Sequence, residues 1–228
     1  MALLDRFNRM VEPLGLRVEP VGRCDRLFNR LLRRRGSFKF VQVGAHDGVL
    51  FDDLYWRVTA RRLPGLVLEP LPDLFQRLMA NYAEFPEVVP VRCAVHATQR
   101  EAVLYRVDPA RLGEFEHGTA GIPSFQAHHH QRSGIPSDAM VAERVPCLPL
   151  MAVLEQHGFL DAAYLQVDVE GYDGEVIRMI DFRRFHPALL KFESESLEPA
   201  DLRDVQDRLR AEGYRLYVEG PDTLGELG

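Results

Sequence analysis

Short apolar runs that stop at a glycine or a carboxylate alternate along this chain with stretches whose apolar residues recur at helical spacing. Phe38 to Val43 is one such run. It ends at Gly44 and reads as a parallel strand buried on both faces. Leu66-Val67-Leu68 repeats the form and ends on Glu69; Val88 to Val91 reads as a third strand and Ala102 to Val107 as a fourth. Tyr164 to Val167 stops at Asp168, Ala188 to Phe192 stops at Glu193, and Tyr214 to Val218 is a strong last strand. Helical spacing covers Leu3 to Arg35, Asp73 to Tyr82, Met151 to His157, Gly174 to Ile180 and Leu202 to Glu212, the last capped by Gly213. Residues Gly113 to Asp138 hold Gly, Pro, Ser and His without a period and read as a long, functional loop.

Strands that alternate with helices imply βαβ units, right-handed crossovers and an α/β domain with helices on both faces of a mostly parallel sheet. That domain is expected over residues 37–228, behind an N-terminal helical extension over 1–36. The extension ends in Arg33-Arg34-Arg35-Gly36, a charge run that suits a solvated helix end; a membrane-surface or polyanion role is the alternative.

Composition narrows the class. A formal net charge of −6 argues against a protein that coats nucleic acid. Cys24, Cys93 and Cys147 are widely spaced and form no CxxC pair, so a reducing compartment is expected rather than a disulfide framework. Charged residues Asp5, Arg6 and Arg9 interrupt any leader, and no apolar run is long enough to span a bilayer, so the cytoplasm is the expected location. A homo-oligomer is compatible with all of this.

In doubly wound sheets ligands bind beyond the carboxyl ends of the strands, where the strand order reverses. The residues found there are Gly44-Ala45-His46-Asp47-Gly48, Glu69-Pro70, Asp168-Val169-Glu170-Gly171-Tyr172 and Glu193. A glycine turn lets backbone approach a ligand and opens a helix start with free N–H groups. An acidic residue such as Glu69, closing the second strand, can accept hydrogen bonds from both hydroxyls of a ribose. His46 stands where the dinucleotide fingerprint GxGxxG has its second glycine, which counts against a nicotinamide cofactor.

These residues resemble the FkbM methyltransferases. Phe40-Val41-Gln42-Val43-Gly44-Ala45-His46-Asp47-Gly48 and Leu66-Val67-Leu68-Glu69-Pro70 look like the family's opening, and Tyr164 to Asp173 is similar to its most distinctive motif. Leu71 to Phe75, Leu78, Asn81, Tyr82, Ser124-Phe125 and Pro187 to Glu193 extend the likeness in the same order, over roughly Phe38 to Leu197. The resemblance implies a class I, Rossmann-like, seven-stranded sheet with a terminal antiparallel strand, and S-adenosylmethionine as cofactor. It puts Gly44, Ala45 and Gly48 against the methionine part, Glu69 on the ribose, and Cys93-Ala94-Val95 near the adenine. Gln42 replaces the acidic residue usual in the first motif, with Asp47 as a candidate substitute; His46, Pro70 and Asp168 complete the cofactor side. Pro221 to Gly228 leaves little length for a further strand, so the far edge of the sheet is expected to be short.

The activity implied is methyl transfer to a hydroxyl of a sugar, a glycan or a hydroxylated secondary metabolite. A hydroxyl must lose its proton in that reaction. Asp168, Glu170, Glu193 and His46 are the catalytic candidates, with Asp168 the preferred general base. Alternatively Asp168 and Glu193 ligate a divalent cation such as Mg²⁺, which would acidify the hydroxyl. Glu170 also reads as a turn carboxylate capping the next helix. His128-His129-His130 reads as a solvated or substrate-contacting run, because adjacent side chains point to alternate sides; with His117 and Ser124 it is a candidate lid. An NAD(P)-dependent oxidoreductase and a catalytically inactive nucleoside-binding module are the competing readings.

Overall fold

The computed structural model describes residues 22–50, 54–115, 123–128, 131 and 134–228. Thirteen residues, Arg23–Arg35 (α1), open it as an amphipathic helix that buries Leu27, Phe28, Leu31 and Leu32 and points its arginines outward. Gly36, at φ +72°, ends it by donating its N–H to the Leu32 carbonyl at 2.8 Å. Part of the helical stretch read from the sequence, residues 3–21, lies outside the described residues, as do residues 51–53, His117, His129 and His130.

The strands Phe40–Val43 (β1), Gly65–Leu68 (β2) and Val88–Val91 (β3) lie parallel, with the helices Leu54–Thr59 (α2) and Pro72–Asn81 (α3) between them in sequence. Beyond β1 on the other side lie Tyr164–Val167 (β7) and Leu189–Glu193 (β8), also parallel, connected by the helix Asp173–Arg178 (α5). The chain closes with the helix Pro199–Ala211 (α6), then Tyr214–Glu219 (β9) and Asp222–Leu227 (β10). The order across the seven-stranded sheet is β3-β2-β1-β7-β8-β10-β9. From β1 the chain adds strands first on one side and then on the other, so the carboxyl ends of the parallel strands β1 and β7 open a crevice at this switch point.

Each inner strand is buried on both faces, and alternation divides its side chains between two cores. Val41, Val43, Leu66, Leu68, Leu165 and Val167 pack with α5, α6 and the helix Leu150–His157 (α4). Phe40, Val67, Tyr164 and Leu189 pack with α1, α2 and α3 on the opposite face. There Phe28 meets Phe38 and Tyr164 edge-on at 5.4 and 5.2 Å. Complete burial of a side chain such as Leu54 or Leu78 is worth about 1.5–3 kcal/mol.

Two strands depart from the sequence reading. The tail does contain a full strand: β10 pairs antiparallel with both β8 and β9, so the far edge of the sheet is complete. Gly220, at φ +61°, allows the tight return from β9, and a Cβ at Gly225 would press on Leu190 at 3.0 Å. The second is Met140–Leu148 (β6), which pairs antiparallel with Glu101–Val107 (β5) and parallel with Ala94–Val95 (β4) in a separate three-stranded sheet. Pro146 argues against a strand in the sequence, yet it sits where the pairing passes from β5 to β4. This small sheet stands over the carboxyl ends of the large one, and its Leu104 reaches the crevice.

Candidate active site

A cavity of about 260 Å³ opens at the crevice between β1 and β7. Its floor is Gln42 to His46 from β1 and the turn after it, with Gln166, Asp168, Val169 and Glu170 from β7 and its turn. Glu69 and Pro70 close one side, and Cys93, Ala94, Val95, Leu104, Pro123, Phe125 and Tyr172 form an apolar wall.

The two glycines of the first turn serve the protein's own packing. Gly44 has φ +81°, and a Cβ there would overlap the Asp168 carbonyl, so its bareness lets the β1 and β7 turns meet. Gly48, at φ +82°, leaves room for Leu78 and Tyr82 of the α3 segment, each of which comes within 2.8 Å of where a Cβ would stand. Gly48 therefore fixes the turn from behind and does not line the cavity. Asp47 is likewise turned away: its Oδ1 accepts the N–H groups of Val49 and Leu50 at 3.0 and 2.8 Å. Burial pushes this carboxyl up, but those two hydrogen bonds outweigh it and hold it below the usual range. Asp47 caps the chain entering α2 and is not placed to replace the missing acidic residue of the first motif.

Glu69 is 4% exposed and faces the cavity. Its two oxygens accept the N–H of His46 at 3.0 Å and of Leu71 at 2.9 Å, which ties the glycine turn to the end of β2. Burial dominates these bonds and lifts the carboxyl to about 8. Each oxygen keeps a further lone pair for a ligand.

Asp168 is exposed where it opens onto the cavity. Desolvation by the turns around its carboxyl, with the negative charges of Glu170 and Glu193, outweighs Lys191 and raises it to about 7. Behind it Asp173 is fully buried and accepts the N–H of Val169 at 3.3 Å and of Glu193 at 3.2 Å. Asp173 therefore does for the β7–β8 side what Glu69 does for the β1–β2 side. Burial, then Asp168 and Glu193, push it well above the carboxylate range. His46 lines the cavity at φ +51°, its ring 3.5 Å from the Asp47 carboxylate.

Glu193 does not line the cavity; its Oε1 accepts the Ser196 hydroxyl at 2.9 Å. Among the described residues no three His, Cys, Asp or Glu side chains converge to hold a metal ion. Of the loop read over 113–138, the described residues 123–128 form a strap. Ser124 bridges to Tyr105 of β5 and donates its hydroxyl to the Glu170 carbonyl at 2.8 Å, while Gln126 reaches Gly171. Phe125 packs edge-on to Tyr172 at 4.7 Å, and His96 stacks on Tyr172 at 5.8 Å. His128 is exposed beside Gln131 and lies outside this wall.

Gln166, Phe125 and Asp173 are given no role by the sequence reading, and Tyr172 enters it only as one of the strand-end residues. Gln166 has a visible signal: FVQV and YLQV each carry a glutamine at the third position of an apolar run. The pair stands in register, both amides are buried under the cavity, and the Tyr164 hydroxyl donates to Gln166 Oε1 at 2.9 Å.

This arrangement fits a ligand with a ribose, a flat base and a charged tail: a lone-pair-rich carboxylate, an apolar wall and a polar floor lie around one cavity. The profile of the methyltransferase FkbM domain matches residues 42–216. The chain belongs to the FkbM methyltransferase family. That family uses S-adenosylmethionine. No curated protein sequence matches the chain. Among solved structures, this FkbM domain is similar to the METTL16 methyltransferase domain at 10% identity and a TM-score of 0.50, over 96% of this chain and 76% of that one. It is similar to a methyltransferase FkbM from Methylobacillus flagellatus KT at 15% identity and a TM-score of 0.49, over 87% and 47%. A Methanococcus jannaschii fibrillarin pre-rRNA processing protein gives 12% and 0.40, over 84% and 66%. The chain thus spans about half the length of the Methylobacillus protein and just under two thirds of the fibrillarin. At 10% identity the METTL16 domain speaks for the class I fold alone.

Proposed function

We propose that this FkbM domain transfers a methyl group from S-adenosylmethionine to a hydroxyl oxygen of a sugar, a glycan or a hydroxylated secondary metabolite. The observation that carries this reading is the joint position of Glu69 and Asp168 on one cavity, the second with its carboxyl near 7. Glu69 holds the ribose hydroxyls through its remaining lone pairs. Cys93, Ala94 and Val95 flank the adenine, and Gly44, Ala45 and the Gln42 amide lie along the methionine part. When bound, the cofactor supplies an electrophilic methyl group on a sulfonium. Asp168 accepts the proton of the acceptor hydroxyl, and a carboxylate near neutrality is suited to that at cellular pH. Phe125 and Tyr172 keep water from the apolar side of the cavity and orient the acceptor against it.

Incubation with methyl-labelled cofactor and a panel of sugars, glycans and hydroxylated small molecules tests this reading. The expected result is label on an oxygen of one acceptor class. Thermal shift with S-adenosylmethionine and S-adenosylhomocysteine, set against NADH, checks the cofactor; stabilisation by NADH alone would overturn the assignment.

A further inference from the structure

β9 is the last strand of the large sheet, and among the described residues no strand pairs with its outer edge. Natural sheets protect such edges with lysine, proline, bulges or very short strands. β9 has none of these, and its charged residues, Arg215 and Glu219, are of opposite sign. It is six residues long, contains neither Lys nor Pro, and runs in unbroken register with β10 from Asp222↔Glu219 to Leu227↔Tyr214. Val218 on this strand is 70% exposed, the highest value for any large apolar side chain among the described residues.

The strand's sequence is self-complementary. In Arg215-Leu216-Tyr217-Val218-Glu219 an apolar centre is flanked symmetrically about Tyr217 by residues of opposite charge. An antiparallel copy centred on Tyr217 sets Arg215 opposite Glu219, Leu216 opposite Val218 and Tyr217 opposite itself. Alternation keeps these pairs sorted by face: Leu216 packs towards the core of α4, α5 and α6, and Tyr217 towards that of α1. A two-fold axis normal to the sheet preserves those faces, so each pair meets on one side. The charged side is also held in place. Glu219 accepts the N–H groups of Arg23 and, at 2.7 Å, of Cys24, and the Arg23 guanidinium lies 4.3 Å from the Tyr217 ring centroid. Each Glu219 oxygen keeps a lone pair for an incoming arginine.

We propose that two copies of this chain pair through β9, antiparallel and centred on Tyr217, into a homodimer with one continuous sheet. Opposite charges face each other across the strands, where like charges would repel. The paired edge also buries Val218. This does not depend on the methyl-transfer reading, since β9 stands at the far edge of the sheet from the cavity.

Sedimentation of the full chain over a dilution series tests it, with circular dichroism to verify folding. The expected mass is that of two chains, falling to one on dilution. Arg215→Glu and Val218→Lys, both at exposed positions, should each weaken the dimer by about ten-fold or more through like-charge opposition and edge charge. Cross-linking reads the register. In a Cys24→Ser background, Tyr217→Cys should form an intermolecular disulfide, whereas Arg215→Cys should not, its two copies lying about 14 Å apart along the strands. A monomer at every concentration overturns the proposal. So does a dimer that withstands both edge substitutions, or cross-linking at Arg215→Cys in place of Tyr217→Cys.

Discussion

Gly44 presses its bare α-carbon against the carbonyl of Asp168, so the turn that follows β1 and the turn that follows β7 are fitted to each other. The neighbouring bonds say the same: Asp168 donates its N–H to the Val43 carbonyl at 3.0 Å, and Gly44 and Ala45 donate to Leu68 at 3.1 and 2.9 Å. Three strand ends are thereby locked into one floor, and the acid presented there inherits its position from a glycine on another strand.

Gly44→Ala should therefore be costly to folding even with no ligand bound. The left-handed backbone alone costs about 1–2 kcal/mol for a residue with a Cβ, and the overlap with backbone adds about 1–3 kcal/mol. Chemical denaturation should report a loss of about 2–5 kcal/mol, the sum of those two ranges. A loss below about 1 kcal/mol would mean that the two turns can part cheaply.

Buried acids give the ligand-free protein an unusual pH profile. Glu69, at about 8, and Asp168, at about 7, both stand above their ordinary values of 4.5 and 3.8, and Asp173 moves the same way. Between the unfolded and folded values the folded state holds the extra protons, so stability must fall as pH rises. Their contribution is complete below about pH 4 and is lost progressively towards pH 8. Tm of the ligand-free protein should drop between about pH 5 and pH 8, at about 2–4 °C per kcal/mol for a domain of this size. Glu69→Gln should flatten that slope and weaken S-adenosylmethionine binding by calorimetry, because an amide offers one acceptor oxygen where the carboxylate offers two.

Much of this is legible in the sequence because buried parallel strands are written as uninterrupted apolar runs. Tyr164 to Val167 and Val88 to Val91 have the bounds their residues suggest, and Glu69 and Asp168 fall at strand ends as the pattern requires. What escapes depends on partners distant in sequence. β10 contains a glycine and three acidic or hydroxyl-bearing residues, and it is a strand because β8 and β9 flank it. Asp47 and Gly48 look like ligand-binding residues in a motif, but the backbone folds them away from the cavity, Asp47 onto the N–H groups of Val49 and Leu50 and Gly48 onto Leu78 and Tyr82. Glu193 and Asp168 are both strand-end acids by pattern, and only side-chain direction separates the one that opens on the cavity from the one that does not; Asp173, which braces the turn, opens α5.

The Ser124 hydroxyl is the fastening of the strap, donating to Glu170 and accepting the Gln126 N–H at 3.1 Å. It is 1% exposed, so Ser124→Ala takes a hydrogen-bond partner from a carbonyl and an N–H that are shielded from water. The cost should be about 1–3 kcal/mol. Because Phe125 follows it in the cavity wall, KM for the acceptor should rise while cofactor affinity, read by calorimetry, changes little. Equal losses for both ligands would show that the strap serves the whole cavity.

Asp168 carries the heaviest prediction. As the base it works ionised, and with its carboxyl near 7 the ionised fraction grows from about one tenth at pH 6 to about nine tenths at pH 8. Activity at saturating cofactor should rise through pH 7 and level off above it. Asp168→Asn removes the proton acceptor and should lower kcat by about 10²–10⁴ while leaving S-adenosylmethionine binding nearly intact. It should also lessen the pH-dependent loss of stability, since an amide there neither titrates nor repels Glu170 and Glu193. A variant that keeps its turnover would overturn this role for Asp168 and leave His46 and Glu170 as the catalytic candidates that line the cavity.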